Sequence, residues 1–445
     1  MVMKNNFDTI VIGAGPGGLA AAFKLSEEQK VLVIEKNLWG GTCPNYGCDP
    51  KKLLYGVIES KRQAALFTRD GVNGDLNIDW KALMAFKKSY TDSIPEGTEQ
   101  GLEQAQIAHV HGAANFIDSH TIQVGAVNYR AENIIIATGA SPAYPDIPGK
   151  KYLQNSNDFL AMENLPPEIA FIGSGYVSIE LANIAAQAGA KVHIIQHNKR
   201  ILRSFPEEYA KKIVSAFASE NVTFHWDSTV TKIVKKEQQL EVKINDKEKL
   251  TVQKLFTAMG RPAAIEKLAL EKAGIHNSKS GIEVDDHLRT AAANIYAVGD
   301  VVDKKVPKLT PVAGFEGAYV ADTILGSTAP ISYPMIPHTV FAGPELSQVG
   351  VSLRWAKAHP DDYKINEQDV GSWYTYLRIR DTNARVTTII DKRSQLLAGA
   401  VVYATAAEEL INYLSAVITE KLPAAELSQR IPVYPSVASD LKYFF

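Results

Sequence analysis

Apolar and polar positions along the chain alternate in two recurring rhythms, short β-branched runs that read as buried strands and longer small-residue stretches that read as helices. "DTIVIGAGPGGLAAAFKL" (8–25) sets one such run, a glycine cluster and a helical pattern end to end, and "VLVIE" (31–35) follows as a second strand. "EIAFIGSGYVSIELANIAAQAGAKVHIIQHN" (168–198) repeats the order with "KVHII" as its second strand. Further apolar strands end in glycine turns at "NIIIATGASP" (133–142) and "KLFTAMGRPA" (254–263), as returns from inserted segments, and "NIYAVGDV" (294–301) closes another with Asp300. From "ISYPMIPHTVFAGPELSQVGV" onward strands and helices alternate without a glycine fingerprint, so a third domain is expected near 331–445. The expected fold class is α/β: two Rossmann-like dinucleotide-binding domains, at 1–150 with 266–330 and at 151–265, and a C-terminal α+β domain at 331–445.

The glycines explain what the strand-helix units are for. Gly13, Gly15 and Gly18 stand in GxGxxG spacing. The first permits a tight turn, the second admits a pyrophosphate to the backbone, and the third lets helix and strand pack closely. The helix N-terminus then presents free amides to phosphate, and Glu35, closing the second strand, is placed to accept from ribose hydroxyls. In the second unit Gly173, Gly175 and Ser178 keep the spacing, but Gln196 replaces the acid, and His197, Lys199, Arg200 and Arg203 follow. A neutral amide among cations favours a ribose 2'-phosphate over a free 2'-hydroxyl, which points to NADPH; a solvated basic loop face is the alternative.

Composition narrows the partners. With 47 basic and 49 acidic residues among 445, the net charge is -2, and no global field argues for nucleic acid or a membrane. The start carries no secretory pattern and no apolar run is long enough to span a bilayer, so a cytoplasmic protein is expected. The only two cysteines, Cys43 and Cys48, lie together in "GGTCPNYGCDPKK" (40–52). One regular helix between them would separate them by about 7.5 Å of axial rise, beyond the roughly 7 Å Cα limit of a disulfide. Pro44 and Gly47 are the residues that break such a helix. A loop this small removes little chain entropy, which favours a reversible redox pair over a structural staple. Zinc is a further reading, but two thiols without nearby partners do not complete a tetrahedral site, and no metal is expected.

"GGTCPNYGCDPKK" resembles the signature of the pyridine nucleotide-disulfide oxidoreductases, the family of glutathione reductase, dihydrolipoyl dehydrogenase and mercuric reductase. Both fingerprints, "AMGRPA", "IYAVGDV", "KLTPVA" and the C-terminal region agree with it in order and spacing, and "QHNKRILRSF" is similar to the NADPH loop of glutathione reductase, with His197 in place of one arginine. The resemblance implies FAD in the first unit, held by Gly13, Gly15, Gly18, Glu35, Gly41, Thr42, Ala114, Thr138, Gly139, Asp300, Thr310 and Ala313. It implies NADPH in the second, held by Gly173, Gly175, Tyr176, Ser178, His197, Arg203 and Gly260, with Tyr176 as a lid over the nicotinamide. It implies electron flow from NADPH through FAD to a Cys43–Cys48 disulfide and on to a small oxidised substrate, Cys48 facing the flavin and Cys43 attacking the substrate. It pairs Lys52 with Glu180 near the flavin and makes the protein a homodimer.

Two departures stand out. Where disulfide-reducing members carry a tail histidine and glutamate, "IPVYPSVASDLKYFF" has Tyr434 and Ser439, with Asp440 one place late. An unperturbed tyrosine titrates near pH 10, too high for an efficient base at neutrality. Ala318 stands where glutathione reductases hold a substrate carboxylate with arginine, which disfavours glutathione itself. Quinones, metal ions or reactive oxidants form the alternative acceptor class, and a flavin-based redox sensor with little turnover the third reading.

Overall fold

The computed structural model describes residues 5–218 and 220–445. They fall into two compact units: residues 5–53, 84–143 and 260–332 form the first, and residues 54–83, 144–218, 220–259 and 333–445 the second.

The first unit is built on a seven-stranded sheet. Its parallel part runs Ala108–His111, Val31–Glu35, Asn6–Ile12, Val127–Ile136, with Ile295–Ala297 pairing alongside the last. Thr121–Val124 and Ala114–Asp118 extend it as an antiparallel ribbon. Strand Asn6–Ile12 is central, pairing Ile10 with Leu32 on one side and Ile134 on the other. Being covered on both faces, these strands are continuous apolar runs rather than alternating ones. Helix Pro16–Leu25 begins with proline in its first turn, directly after the first strand. It packs against helix Thr310–Ile324 at backbone range, because a Cβ on Gly317 would fall 2.0 Å from the Gly17 carbonyl oxygen.

The second unit holds three sheets. A four-stranded parallel sheet orders Lys254–Thr257, Glu168–Ile172, Lys191–Ile195 and Val222–His225, with helix Tyr176–Gln187 following its second strand. A three-stranded antiparallel sheet spans Val230–Lys236, Gln239–Ile244 and Glu248–Val252. The C-terminal region forms a five-stranded antiparallel sheet, His338–Val340, Glu345–Gly350, Leu397–Ala404, Arg385–Asp391 and Tyr363–Asp369, whose core is closed by Leu410, Ile411 and Leu414 of helix Ala407–Thr419. Phe444 is fully buried there and stacks on Trp373, so this part of the tail completes a core. Ile431, Val433, Tyr434 and Tyr443 are exposed instead.

Among the described residues, no helix is long and apolar enough to cross a membrane, and no group of three or more His, Cys, Asp or Glu is arranged to hold a metal ion.

Candidate redox site

Cys43 and Cys48 sit on two helices interrupted between them. The helix Thr42–Tyr46 ends at Gly47, whose backbone leaves helical geometry at φ -126 and ψ -115, and a new helix, Cys48–Leu66, opens at the second cysteine. A side chain on Gly47 would press to 3.0 Å from the Cys43 Cα, so the break needs glycine. Both cysteines are free thiols, the reduced form of the pair.

Their surroundings make them unequal. A hydrogen bond from Cys43, with help from the Thr310 hydroxyl and the charges of Lys51 and Lys52, overcomes burial and lowers Cys48 to about 6. Its place at a helix start acts in the same direction. Donating to the Cys48 sulfur, and then burial, push the Cys43 thiol well above the ordinary range. Reduced at neutral pH, the pair is therefore one thiolate, Cys48, and one thiol, Cys43. Cys48 Sγ lies 3.5 Å from Thr310 Oγ1, and Cys43 Sγ lies 3.8 Å from Asp49 Oδ1.

The expected FAD residues of the first unit make a cradle that fits a dinucleotide. Gly13 has φ +110, and a Cβ there would come within 2.4 Å of the Ala137 carbonyl oxygen; one on Gly18 would lie 2.0 Å from the Gly13 carbonyl oxygen. Strand end and helix start thus touch through backbone alone, as a phosphate turn requires. Gly41 reaches this turn too, with Thr42 beside it opening the cysteine helix. Glu35 is buried and accepts from the Ala14 and Asn37 amides at 2.8 Å each, which leaves lone pairs on both oxygens for ribose hydroxyls. Thr138, beside Gly139 at the end of its strand, has a buried hydroxyl without a protein partner, a polar orphan that a bound ligand would satisfy. Ala114 is buried at the start of its strand, further along the same sheet.

Asp300 lies in the short turn Gly299–Val301. The turn is pinned by a residue the sequence reading passed over: Glu316 on the helix that carries Thr310 and Ala313. Its fully buried carboxylate accepts from the Gly299 amide at 2.7 Å and from Lys304 Nζ at 2.6 Å. Lys308 Nζ donates to the Asp300 carbonyl at 2.8 Å.

In the second unit the fingerprint recurs with Gly173 at φ +100. Nothing stands within 4 Å of a Cβ on Gly175, so the backbone before helix Tyr176–Gln187 is open to approach. Ser178 is fully buried with an unpartnered hydroxyl, and Tyr176 is exposed. In the basic loop Arg203 donates to His197 Nε2 at 2.9 Å, bringing those two residues together. The other expected cations are engaged elsewhere: Lys199 pairs with Asp227 at 3.5 Å, and Arg200 donates to the Arg203 carbonyl. Gln196 is buried and donates to Asn198 and to the Arg200 carbonyl, so it shapes the loop.

Gly260 belongs to the first unit, at φ +109. Lys52 lies in the first unit, half-buried, and Glu180 in the second, buried and accepting from the Phe341 amide at 3.0 Å. Tyr434, also in the second unit, is 69% exposed and stacks on Tyr374. Ser439 and Asp440 are buried near it in sequence: Ser439 caps a short helix with Ser436, and burial raises the Asp440 carboxyl above its usual range.

Residues 7–317 match the pyridine nucleotide-disulphide oxidoreductase family, and residues 336–443 match that family's dimerisation domain. The chain belongs to this family. It is 30% identical to the dihydrolipoyl dehydrogenase of Bacillus subtilis (strain 168), over 97% of this chain and 94% of that one. It is 29% identical to the glutathione reductase of Nostoc sp. (strain PCC 7120 / SAG 25.82 / UTEX 2576), over 98% and 99%. Among solved structures it is similar to the HOCl-induced flavoprotein disulfide reductase RclA from Escherichia coli, with TM-score 0.88, 27% identity and 98% of each chain covered. A Cu(II) complex of the C43S mutant of that protein matches with TM-score 0.90, at 27% identity over 99% of each chain. The protein is thus a flavoprotein disulfide oxidoreductase of a family that binds FAD and a pyridine nucleotide, and the dimerisation domain supports a homodimer.

Proposed function

We propose that the protein uses NADPH to reduce its Cys43–Cys48 pair and passes the electrons on to a small oxidised acceptor, with disulfides as the first class. The observation that carries this reading is the asymmetry of the thiols: Cys48 lowered to about 6 at a helix start and Cys43 held protonated beside it. A pair so divided has one sulfur that stays charged and one that exchanges with an acceptor. Bound FAD supplies the two-electron relay between a nicotinamide donor and such a pair.

The chain's own residues have separable roles. Gly13, Gly15 and Gly18 give the pyrophosphate its turn, with Glu35 on the ribose, while Thr138, Asp300, Thr310 and Ala313 bound the remainder of the FAD site. Lys52 is the flavin-side lysine of the first unit, and Glu180 the catalytic acid of the second. Gly175 and Ser178 admit the second dinucleotide, with Tyr176 over the nicotinamide and Gly260 at the strand return. His197 and Arg203, already hydrogen-bonded to each other, are the groups for a 2'-phosphate and the basis for NADPH over NADH. Three domains, 1–150 with 266–330, 151–265 and 331–445, and a cytoplasmic setting complete this reading.

A second acceptor class is favoured by the tail. Tyr434 stands where disulfide-reducing members carry the tail histidine, and the chain is similar to a reductase induced by HOCl whose C43S mutant has been captured with Cu(II). Reactive oxidants and Cu(II) ask less proton handling of the tail than a departing thiolate does. NADPH oxidation by the purified holoenzyme, measured with an alkyl disulfide, a quinone and Cu(II), separates the classes. Disulfide turnover that vanishes in Cys43→Ser supports the first; Cu(II) or quinone turnover with none on disulfides supports the second. Stoichiometric reduction without turnover on any acceptor contradicts both and leaves a sensor.

A further inference from the structure

The tail lacks the histidine that moves protons in disulfide-reducing relatives, yet a thiol that attacks a disulfide must lose a proton and the departing sulfur must gain one. A carboxylate stands beside the attacking sulfur. Cys43 Sγ lies 3.8 Å from Asp49 Oδ1, within hydrogen-bond reach of sulfur if its proton turns from Cys48 to the carboxylate, and Tyr90 Oη donates to Asp49 Oδ2 at 2.9 Å. Each oxygen of Asp49 therefore has its own partner. The first turn of helix Cys48–Leu66 fixes the Asp49 backbone, and Tyr90 arrives from the last turn of helix Trp80–Thr91. Tyr90 is 42% exposed and Asp49 half-buried, so the pair connects the Cys43 sulfur to solvent.

We propose that Asp49, held in orientation by Tyr90, is the proton carrier for Cys43 in acceptor reduction. The proposal rests on the reading that the dithiol delivers its electrons to a disulfide. The step balances without another reactant. The Cys43 thiol gives its proton to Asp49 as its sulfur bonds to one sulfur of RSSR, and the S–S bond of the acceptor breaks. Asp49 passes that proton to the departing RS⁻, which leaves as RSH. The Cys48 thiolate then attacks Cys43, forming the Cys43–Cys48 disulfide and releasing the second RS⁻ to solvent. The dithiol loses two electrons and the acceptor gains them.

The electrostatics agree. The groups acting on Asp49 and its partner sulfur are Tyr90, Cys48 and Thr310, with Lys51 and Lys52 acting on Cys48. The negative charge of Asp49 helps keep the Cys43 proton in place until attack begins. Tyr90 is itself raised by its bond to Asp49, which makes it a donor that positions the carboxylate and not a competing base.

The test compares two disulfides on the NADPH-reduced holoenzyme: hydroxyethyl disulfide, whose thiol is weakly acidic, and 5,5'-dithiobis(2-nitrobenzoate), whose thiolate leaves unprotonated. Asp49→Asn is expected to lower turnover of the first by about 100-fold, and of the second by less than about threefold. Flavin bleaching by NADPH should be unchanged. Tyr90→Phe should show the same selectivity at about a tenfold loss, a pattern that a merely structural role would not give. Equal losses on both disulfides, or no loss on either, overturns the proposal. If the wild type reduces neither disulfide, the acceptor reading fails instead, and iodoacetamide labelling of Cys43 at pH 7 decides the role of Asp49. Labelling should then be about 3- to 10-fold slower in Asp49→Asn, where no carboxylate takes the proton as the sulfur attacks; an unchanged or faster rate refutes the role.

Discussion

Removing the Glu316 carboxylate should loosen the FAD side of the first unit more than any surface change. Glu316 is fully buried and Lys304 only 7% exposed, and the two meet at 2.6 Å while the second carboxylate oxygen takes the Gly299 amide at 2.7 Å. Glu316→Ala strands a buried ammonium, a loss of about 3–5 kcal/mol, and an amide whose desolvation costs about 1–3 kcal/mol. The two share one carboxylate and do not add fully, so about 4 kcal/mol is expected in total. Glu316→Gln keeps an acceptor of the same shape and should cost about 1–2 kcal/mol less. Lys304→Met combined with Glu316→Gln should recover most of the loss, since no buried charge is then left alone. Urea unfolding of the holoenzyme gives the stability, and release of FAD fluorescence reports the Asp300 turn. A Glu316→Ala protein within about 1 kcal/mol of wild type, with FAD fully retained, would refute this account of the pin.

Two further outcomes follow from the sites. In the dithiothreitol-reduced protein, alkylation of Cys48 should rise with pH and reach half its plateau near pH 6, because a lowered thiol pKa means thiolate is present above it and lost below it. An ordinary thiol would reach half-plateau near about 8.5, and Thr310→Val should move Cys48 toward that value; a midpoint above 8 in the wild type would contradict the thiolate assignment. Replacing His197 or Arg203 with alanine should raise KM for NADPH by about 10- to 100-fold and leave KM for NADH within about twofold. Equal changes for both nucleotides would show that the loop is only a solvated face.

Much of this was legible in the sequence where the responsible residues are close together along the chain. Gly13 and Gly18 make a phosphate turn through their own backbone contact, and Gly47 breaks the helix between the cysteines, so spacing alone carried both. The basic loop was only half legible. Three cations, Lys199, Arg200 and Arg203, follow Gln196, but Asp227 engages Lys199 and the loop backbone engages Arg200, contacts that depend on how the segment closes. Asp49 carries no signal of its own in the sequence, because Tyr90 lies 41 residues away and only folding sets it against the carboxylate. Glu316, in the middle of a helix pattern, has the sequence appearance of an exposed acid; its partners Gly299 and Lys304 come from the preceding turn and loop. The tail divided along packing lines that composition does not disclose, with Phe444 inside a core and Tyr434 outside it.

The measurement closest to the central claim is an anaerobic dithionite titration of the purified holoenzyme, followed across the visible spectrum. If the cysteine pair exchanges electrons with bound FAD, each chain takes up about two electron pairs. A long-wavelength absorption band, from the Cys48 thiolate against the flavin, should grow during the first. Cys48→Ser should remove that band. Uptake of a single electron pair, with no long-wavelength band at any stage, would contradict the account.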